Sequence, residues 1–371
     1  MIDPKILCNL LSDIGADFFT GVPDSLLKPL CTLLGTYPQD KHIIAANEGC
    51  AVGLAAGVHM ATGSVPVVYM QNSGMGNATN PLLSLTDQEV YSIPLIMLIG
   101  WRGEPGVKDE PQHVKQGKLT CELLGTMGIE HVIMAQENDE LKDQMRICEE
   151  HLRKNSSPFA FVIRKGTFSD VIDDNDIGND LPYREEAIEK IVKASDENDI
   201  FVSTTGMASR ELYEIRERMR QGHEKDFLTV GSMGHASQIA AGIAIKRPDR
   251  KVFCIDGDGA VIMHMGGMSA IGKIHPANLV HIVLNNGSHD SVGGQPTAGP
   301  DIDMLKIAEA TGYVSVHSAD TVSGLNTILG KIGAGPVFIE IKIRKGARKD
   351  LGRPKETPQE NKRKFMEHVS R

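Results

Sequence analysis

The sequence predicts an α/β fold made of two doubly wound parallel-sheet domains. Short, continuously apolar runs alternate with segments of helical period along the chain. That alternation occurs twice, with matching openings and closings, and an acidic, weakly apolar stretch separates the two series. Strands covered by helices on both faces of a parallel sheet read as unbroken apolar runs, which is what both series contain.

In the first series FFTGV precedes a helical segment over 24–35, HIIAA precedes 48–62, VPVVYM precedes 77–90 and PLIMLIG precedes 115–127. HVIM, a helix over 137–153 and the strand FAFVIRKG complete it. The second series supplies DIFVST, DFLTV, KVFCID, LVHIVLNN, YVSVHS and VFIEIKIRKG as its strands. Each series opens with a helix and then a strand running from an Asp (Asp17, Asp199) to a Gly (Gly21, Gly206). Each closes with Pro, an apolar strand and Arg-Lys-Gly, at 164–166 and 344–346, as two copies of one unit would. The expected organisation is a first domain over 1–166, an exposed acidic linker over 167–183, a second domain over 184–346 and a charged tail over 347–371, loosely packed or reaching a neighbouring subunit.

Composition narrows the function. A 41% hydrophobic and 23% charged chain of 371 residues buries full cores, so disorder is confined to the ends. A formal net charge of -9 with scattered Lys and Arg excludes nucleic acid as a partner. The six cysteines form no C-x-x-C pair, which excludes a zinc ribbon, an iron–sulfur cluster and a redox motif. Asp3 stands where a signal peptide is cationic, and no apolar run approaches the roughly 20 residues of a membrane span. A reducing cytoplasm is the expected setting.

The most informative stretch is KVFCIDGDGAVIMHMGGMSAIG followed by LVHIVLNNGSHDSVGGQ. One βαβ crossover separates Asp258 from Asn286, which puts both at the carboxyl ends of neighbouring parallel strands, the binding edge of such sheets. Mg²⁺ takes six hard oxygens and is held by one or two protein groups together with phosphates and water. The Asp258 carboxylate, the Asn286 amide oxygen and the Ser288 carbonyl suit it. Gly259 and Ala260 open the next helix, whose free N–H groups favour a diphosphate. A bare strand-to-helix turn would not require Asn-Asn one crossover later. A dinucleotide fingerprint fails at Ile262, where its third glycine belongs, and at Asn285 and Asn286, where its ribose-binding acid belongs.

This Gly-Asp-Gly to Asn-Asn segment closely resembles the cofactor motif of thiamine diphosphate enzymes. The resemblance implies thiamine diphosphate and Mg²⁺ as cofactors, with Asp258, Asn286 and the Ser288 carbonyl as metal ligands and domains of the pyrimidine-binding and diphosphate-binding types. GSMGHASQIAAGIA, with Ser232 and Met233, is similar to the family's second cofactor segment, in which the residue at Met233 lies beneath the thiazolium; Gly206 and Met207, in TTGMASRELY, are further cofactor-binding candidates. As plain core packing Met233 is equally ordinary. AANEGCAVGLAAGVHMATG resembles the helix whose glutamate, here Glu48, bonds the aminopyrimidine and favours the tautomer that removes the thiazolium proton. Without that context Glu48 simply complements a helix dipole behind Asn47. The resemblance also implies a homodimer or larger homo-oligomer with active sites between subunits. It covers nearly the whole chain up to the tail. Larger decarboxylases carry a third domain between these two, for which the short linker leaves no room, and no flavin is expected.

Among compact members, GVPDSLLKPL, NSGMGN, GWRGEPGVKDEPQHVKQG and NNGSHDSVGGQPT look most like the phosphonopyruvate decarboxylases, with the sulfopyruvate decarboxylases as near neighbours. The implied reaction converts 3-phosphonopyruvate to phosphonoacetaldehyde and CO₂, a step of phosphonate biosynthesis. Proton transfer then falls to His113, in the loop DEPQHVKQG, because histidine titrates near neutrality. Asp24 orients substrate or relays protons, or simply caps a helix. Arg102, Lys108, Lys115 and His289, expected in loops, and Ser25 are head-group candidates. Sulfopyruvate decarboxylase and a non-catalytic, cofactor-binding partner subunit are the rival readings. The second is disfavoured because Glu48 and the Asp258–Asn286 pair are both retained.

Overall fold

The computed structural model describes residues 1–169 and 180–370. The chain divides into two compact units, Met1–Asn175 and Asp176–Arg371. Much of the acidic stretch expected as a linker, residues 170–179, lies outside the described residues. At its near end Phe168 is buried and bridges Ile2 within the first unit.

The first unit holds a parallel sheet of β1 (Phe19–Gly21), β2 (His42–Ile44), β3 (Val67–Gln71), β4 (Ile96–Gly100), β5 (Glu130–Ile133) and β6 (Phe159–Ile163), in the order β2-β1-β3-β4-β6-β5. The second holds β7 (Ile200–Ser203), β8 (Asp226–Leu228), β9 (Val252–Gly257), β10 (Leu279–Asn285), β11 (Ser315–Ala319) and β12 (Val337–Lys342), in the order β11-β12-β10-β9-β7-β8. Taken from its other edge and counted from β7, this is the same order as in the first sheet. All twelve expected strands are present, and the repeated openings and closings mark two copies of one topology.

Period two within the apolar runs feeds a core on each sheet face. Ile96 and Leu98 of β4 enter one cluster, while Leu95, Met97 and Ile99 enter another. In the second unit Ile282 and Leu284 face one core and Val283 the other. The helix Glu48–Thr62 begins where the Asn47 side chain accepts the Cys50 N–H at 2.9 Å and ends at Gly63, φ +73°.

Three helices differ from expectation. The segment over 77–90 is a helix Met75–Pro81 followed by a π turn Leu82–Thr86, because Pro81 has no N–H to continue the ladder. The helix after Gly-Asp-Gly is split into Asp258–Met263 and Gly267–Ile274 at the weakly helical Gly266-Gly267. Pro111 starts the helix Pro111–Thr126 one turn early, so His113 and Lys115 stand on a helix, not in a loop.

The charged tail is not loosely packed. Its helix Pro358–Val369 lies along the edge strand β8, where the Asn361 side chain donates to Asp226 O at 2.9 Å and accepts from Leu228 N–H at 3.2 Å. Phe365 is buried against Phe227. The tail's few apolar anchors, Phe365 and the partly buried Val369 on the helix and Leu351 before it, are too sparse to show as a period, yet the helix covers a sheet edge otherwise open to mispairing. No helix among the described residues is long and apolar enough to cross a membrane.

Candidate functional site

In the second unit the residues predicted to hold a cofactor gather at the carboxyl ends of β7, β8, β9 and β10. Met207, Met233, Asp258, Gly259, Ala260, Asn286, Ser288 and His289 line one cavity. Gly206 (φ +97°) and the exposed Ser232 (φ +47°) are loop residues beside it. The loop carrying Met233 is tied to the β7 exit by a hydrogen bond from Gly231 N–H to the Thr205 hydroxyl, 3.0 Å.

Asp258 and Asn286 follow β9 and β10, neighbouring strands whose last residues are in register, Gly257 opposite Leu284. Asp258 is only 2% exposed. Its carboxylate accepts from the Thr297 hydroxyl, which in turn accepts Gly299 N–H at 3.1 Å. Burial nevertheless pushes the Asp258 pKa up to about 6, against hydrogen bonds that lower it. A desolvated carboxyl of this kind, beside an amide oxygen and the buried Ser288, is a donor set that fits a hard divalent cation.

The two asparagines divide their work. Asn285 is buried and braces the fold, donating to Glu340 at 2.7 Å and to Gly299 O at 3.1 Å. Asn286 faces the cavity, with its NH₂ on Asp290 at 2.7 Å and its oxygen accepting Ser288 N–H at 3.0 Å. His289 packs on Gly259, where an added Cβ would stand 2.9 Å from the imidazole Cε1. Burial holds the His289 pKa down at about 4, so at neutral pH it offers an N–H donor and not the cation considered from sequence.

In the first unit the exits of β1, β3 and β4 form a second cluster. Asp24 is fully buried; its oxygens accept from Gln71 Nε2 at 2.6 Å and Leu26 N–H at 3.0 Å, and Gly100 has no room for a Cβ beside it. Burial raises its pKa. Asp24 thus caps the short helical turn Ser25–Leu27, the alternative weighed from sequence. Arg102 makes a bidentate pair with Asp109 at 2.8 and 2.5 Å and donates to the Ser25 hydroxyl at 2.9 Å. Burial favours the neutral Asp109 acid, but Arg102 and two backbone N–H groups hold its pKa well below the usual carboxylate range. Lys108 is exposed on the same loop.

Glu48 is 5% exposed, and its carboxylate accepts from Asn77 Nδ2 at 2.7 Å. Gly74 packs directly on that carboxylate. His113 is buried, its Nδ1 has no hydrogen-bond partner among the described residues, and burial followed by the Arg102 charge holds its pKa down at about 4.

Sequence reasoning missed Thr297, Asp290, Arg184, Asn77 and Asp109. Each makes its key contact across a turn or between elements, with no motif to announce it. Another set of ligand-type atoms converges among the described residues, those of Cys254, Asp256 and His281, within 4.8 Å of one another. One sheet face produces it, since His281 stands opposite Cys254 and shares a 2.9 Å hydrogen bond with the Tyr313 hydroxyl. Its three residues are buried between strands, and Asp256 also lines the cavity of the strand-end centre that the Gly-Asp-Gly motif predicts.

Comparison with known proteins agrees with the two-domain fold. Residues 4–138 match the family described as thiamine pyrophosphate enzyme, N-terminal TPP binding domain, and residues 203–341 match its C-terminal TPP binding domain. Phosphonopyruvate decarboxylase of Streptomyces viridochromogenes is 35% identical over 388 residues, covering 100% of this chain and 96% of that protein. Sulfopyruvate decarboxylase of Methanosarcina acetivorans is 27% identical over 97% of this chain and 95% of its own length. The sulfopyruvate decarboxylase subunit beta of Methanocaldococcus jannaschii is 39% identical over 36% of this chain and 69% of its own. By family and by fold, this chain belongs to the thiamine diphosphate-dependent enzymes and, among them, to the decarboxylases.

Proposed function

We propose that this protein is a thiamine diphosphate- and Mg²⁺-dependent decarboxylase converting 3-phosphonopyruvate to phosphonoacetaldehyde and CO₂ in the cytoplasm. The observation that carries the reading is the convergence of Asp258, Asn286 and Met233 on one cavity at the strand exits, in a chain 35% identical over its full length to phosphonopyruvate decarboxylases. Over a comparable length, 97% of this chain, identity to the sulfopyruvate decarboxylase of Methanosarcina acetivorans is lower, 27%, which favours the phosphonate; the 39% to a sulfopyruvate decarboxylase beta subunit spans only 36% of the chain.

The cofactor, when bound, supplies a ring that adds to the keto carbon and takes up the electron pair released with CO₂. The chain's residues hold and protonate. Asp258, the Asn286 amide oxygen and the Ser288 carbonyl hold Mg²⁺, while Gly259 and Ala260 give the diphosphate close backbone approach. Met233 supports the ring, with Gly206, Met207 and Ser232 shaping the surrounding loops. Glu48, oriented by Asn77, exchanges a proton with the aminopyrimidine nitrogen. His113, neutral at physiological pH, would take the hydroxyl proton as product leaves, and the proton that replaces CO₂ on carbon is drawn from solvent. Asp24 fixes the loop that presents Ser25, and Ser25, Lys108 and His289 contact the anionic head group. The assembly is a homodimer or higher homo-oligomer in which Glu48 and the Asp258–Asn286 pair act on one cofactor from different subunits.

Incubation of the purified protein with phosphonopyruvate, sulfopyruvate and pyruvate, with and without thiamine diphosphate and Mg²⁺, tests this by CO₂ release. Cofactor-dependent turnover of phosphonopyruvate well above the other two is expected. Preference for sulfopyruvate overturns the substrate, and cofactor binding without turnover of any of them overturns the catalytic reading.

A further inference from the structure

We infer that Glu211, Arg184 and Asp290 form a positioning chain that fixes the Asn286 amide and thereby sets the cation affinity of the site. The inference rests on the reading of Asn286 as a metal ligand.

The chain of contacts is continuous, buried at Arg184 and Glu211 and partly buried at Asp290 and Asn286. One oxygen of Asp290, Oδ2, accepts three hydrogen bonds: from Asn286 Nδ2 at 2.7 Å, from Arg184 Nη1 at 3.0 Å and from Gly346 N–H at 3.0 Å. Arg184 is 6% exposed and turns its other edge to Glu211, with Nε and Nη2 donating at 2.9 and 3.1 Å. Glu211 is 1% exposed and sits on the helix Met207–Arg218, which starts in the cavity wall. Arg184 Nη2 also reaches Gly346 O at 3.4 Å, so the closing Arg-Lys-Gly of the second series is part of the bracket.

An asparagine amide presents either oxygen or nitrogen to a site, depending on a half-turn of its terminal torsion. With the Asn286 NH₂ on a carboxylate, that half-turn would set the amide oxygen against Asp290 and lose the bond. The oxygen is therefore held away from Asp290, where it accepts Ser288 N–H at 3.0 Å and keeps a lone pair for a hard cation. Arg184 compensates the Asp290 charge and holds the carboxylate at the cavity wall, where Asn286 donates to it. Counting Arg184 against Glu211 and Asp290 leaves one net negative charge behind the ligand, which favours a divalent ion.

The test is calorimetric titration of Mg²⁺ into full-length protein saturated with thiamine diphosphate, alongside melting of the cofactor-free protein. Asp290→Ala is expected to weaken Mg²⁺ binding about 10- to 100-fold, the usual range for groups that orient a metal ligand. Asp290→Asn, whose amide oxygen can still accept from Asn286, is expected to lose only about 3- to 10-fold of that affinity. Asn286→Ala should abolish tight binding, and adding Asp290→Ala to it should change nothing further. A folded Asp290→Ala with wild-type Mg²⁺ affinity overturns the inference if Asn286→Ala still abolishes binding. If Asp290→Ala does not fold, unchanged affinity in Asp290→Asn overturns it equally. Wild-type binding in Asn286→Ala instead overturns the ligand reading on which the inference rests.

Discussion

Substituting Gly74 by Ala would test whether the position of the Glu48 carboxyl matters to turnover. Gly74 has φ -75° and ψ -13°, which alanine adopts without strain, so the backbone gives no reason for an effect. The three atoms nearest an added Cβ all belong to Glu48, including its Cγ at 2.5 Å, where ordinary contact begins at 3.4 Å. Relief therefore requires the Glu48 side chain to retreat by about 1 Å, breaking or stretching its 2.7 Å bond from Asn77. A misplacement of about 1 Å in a reacting group costs on the order of 100-fold, or ~2.7 kcal/mol of barrier. Overpacking costs about 1–3 kcal/mol of stability, small enough for the protein to remain folded because a flexible side chain gives way. The assay is steady-state CO₂ release at saturating cofactor, with thermal melting as the folding control. A folded Gly74→Ala enzyme with kcat within about 3-fold of wild type would refute the placement of Glu48 in proton transfer.

Three further outcomes are expected. Glu48→Gln should melt like wild type yet turn over at least about 100-fold more slowly, because an amide cannot exchange the proton; near-normal kcat contradicts its role. His113 has a folded-state pKa near 4 against an ordinary 6.5, so the unfolded chain binds the proton first. Its stabilisation is present above pH 6.5 and is lost as pH falls toward 4; melting of His113→Gln should depend less steeply on pH across that window, and identical slopes count against it. Arg216 and Asp226 pair at 2.8 Å with no exposed surface, so Arg216→Met should cost about 3–5 kcal/mol in urea unfolding by stranding a buried carboxylate; a loss below about 1 kcal/mol contradicts this.

The strands were legible because helices cover both faces of each sheet, so most strand positions are buried and apolar and the runs are long. The second-domain centre was legible because its two ends, Asp258 and Asn286, are separated by one crossover whose geometry is fixed by topology. What the sequence could not reveal depends on depth and cross-loop pairing. Asp24 reads identically as an exposed relay or a buried cap, and only the approach of Gly100 and Gln71 decides that it is enclosed. Arg102 reads as a free cation, whereas Asp109 folds back to hold it. The tail's charge hid Phe365 and Asn361, two residues that dock it to β8.

Because the same ladder is built twice in the same register, each strand exit in one half has a positional twin in the other. Gly21 opposes Tyr69 as Ser203 opposes Ile255, and Gln71 opposes Gly100 as Gly257 opposes Leu284. Counting outward from these pairs, Asp24 is the twin of Gly206, Asn72 of Asp258 and Arg102 of Asn286, while Glu48 answers to Ser232. An acid in one copy meets glycine, an amide or a hydroxyl in the other. One backbone plan built twice thus carries two sets of exits with unlike chemistries on the same ladder.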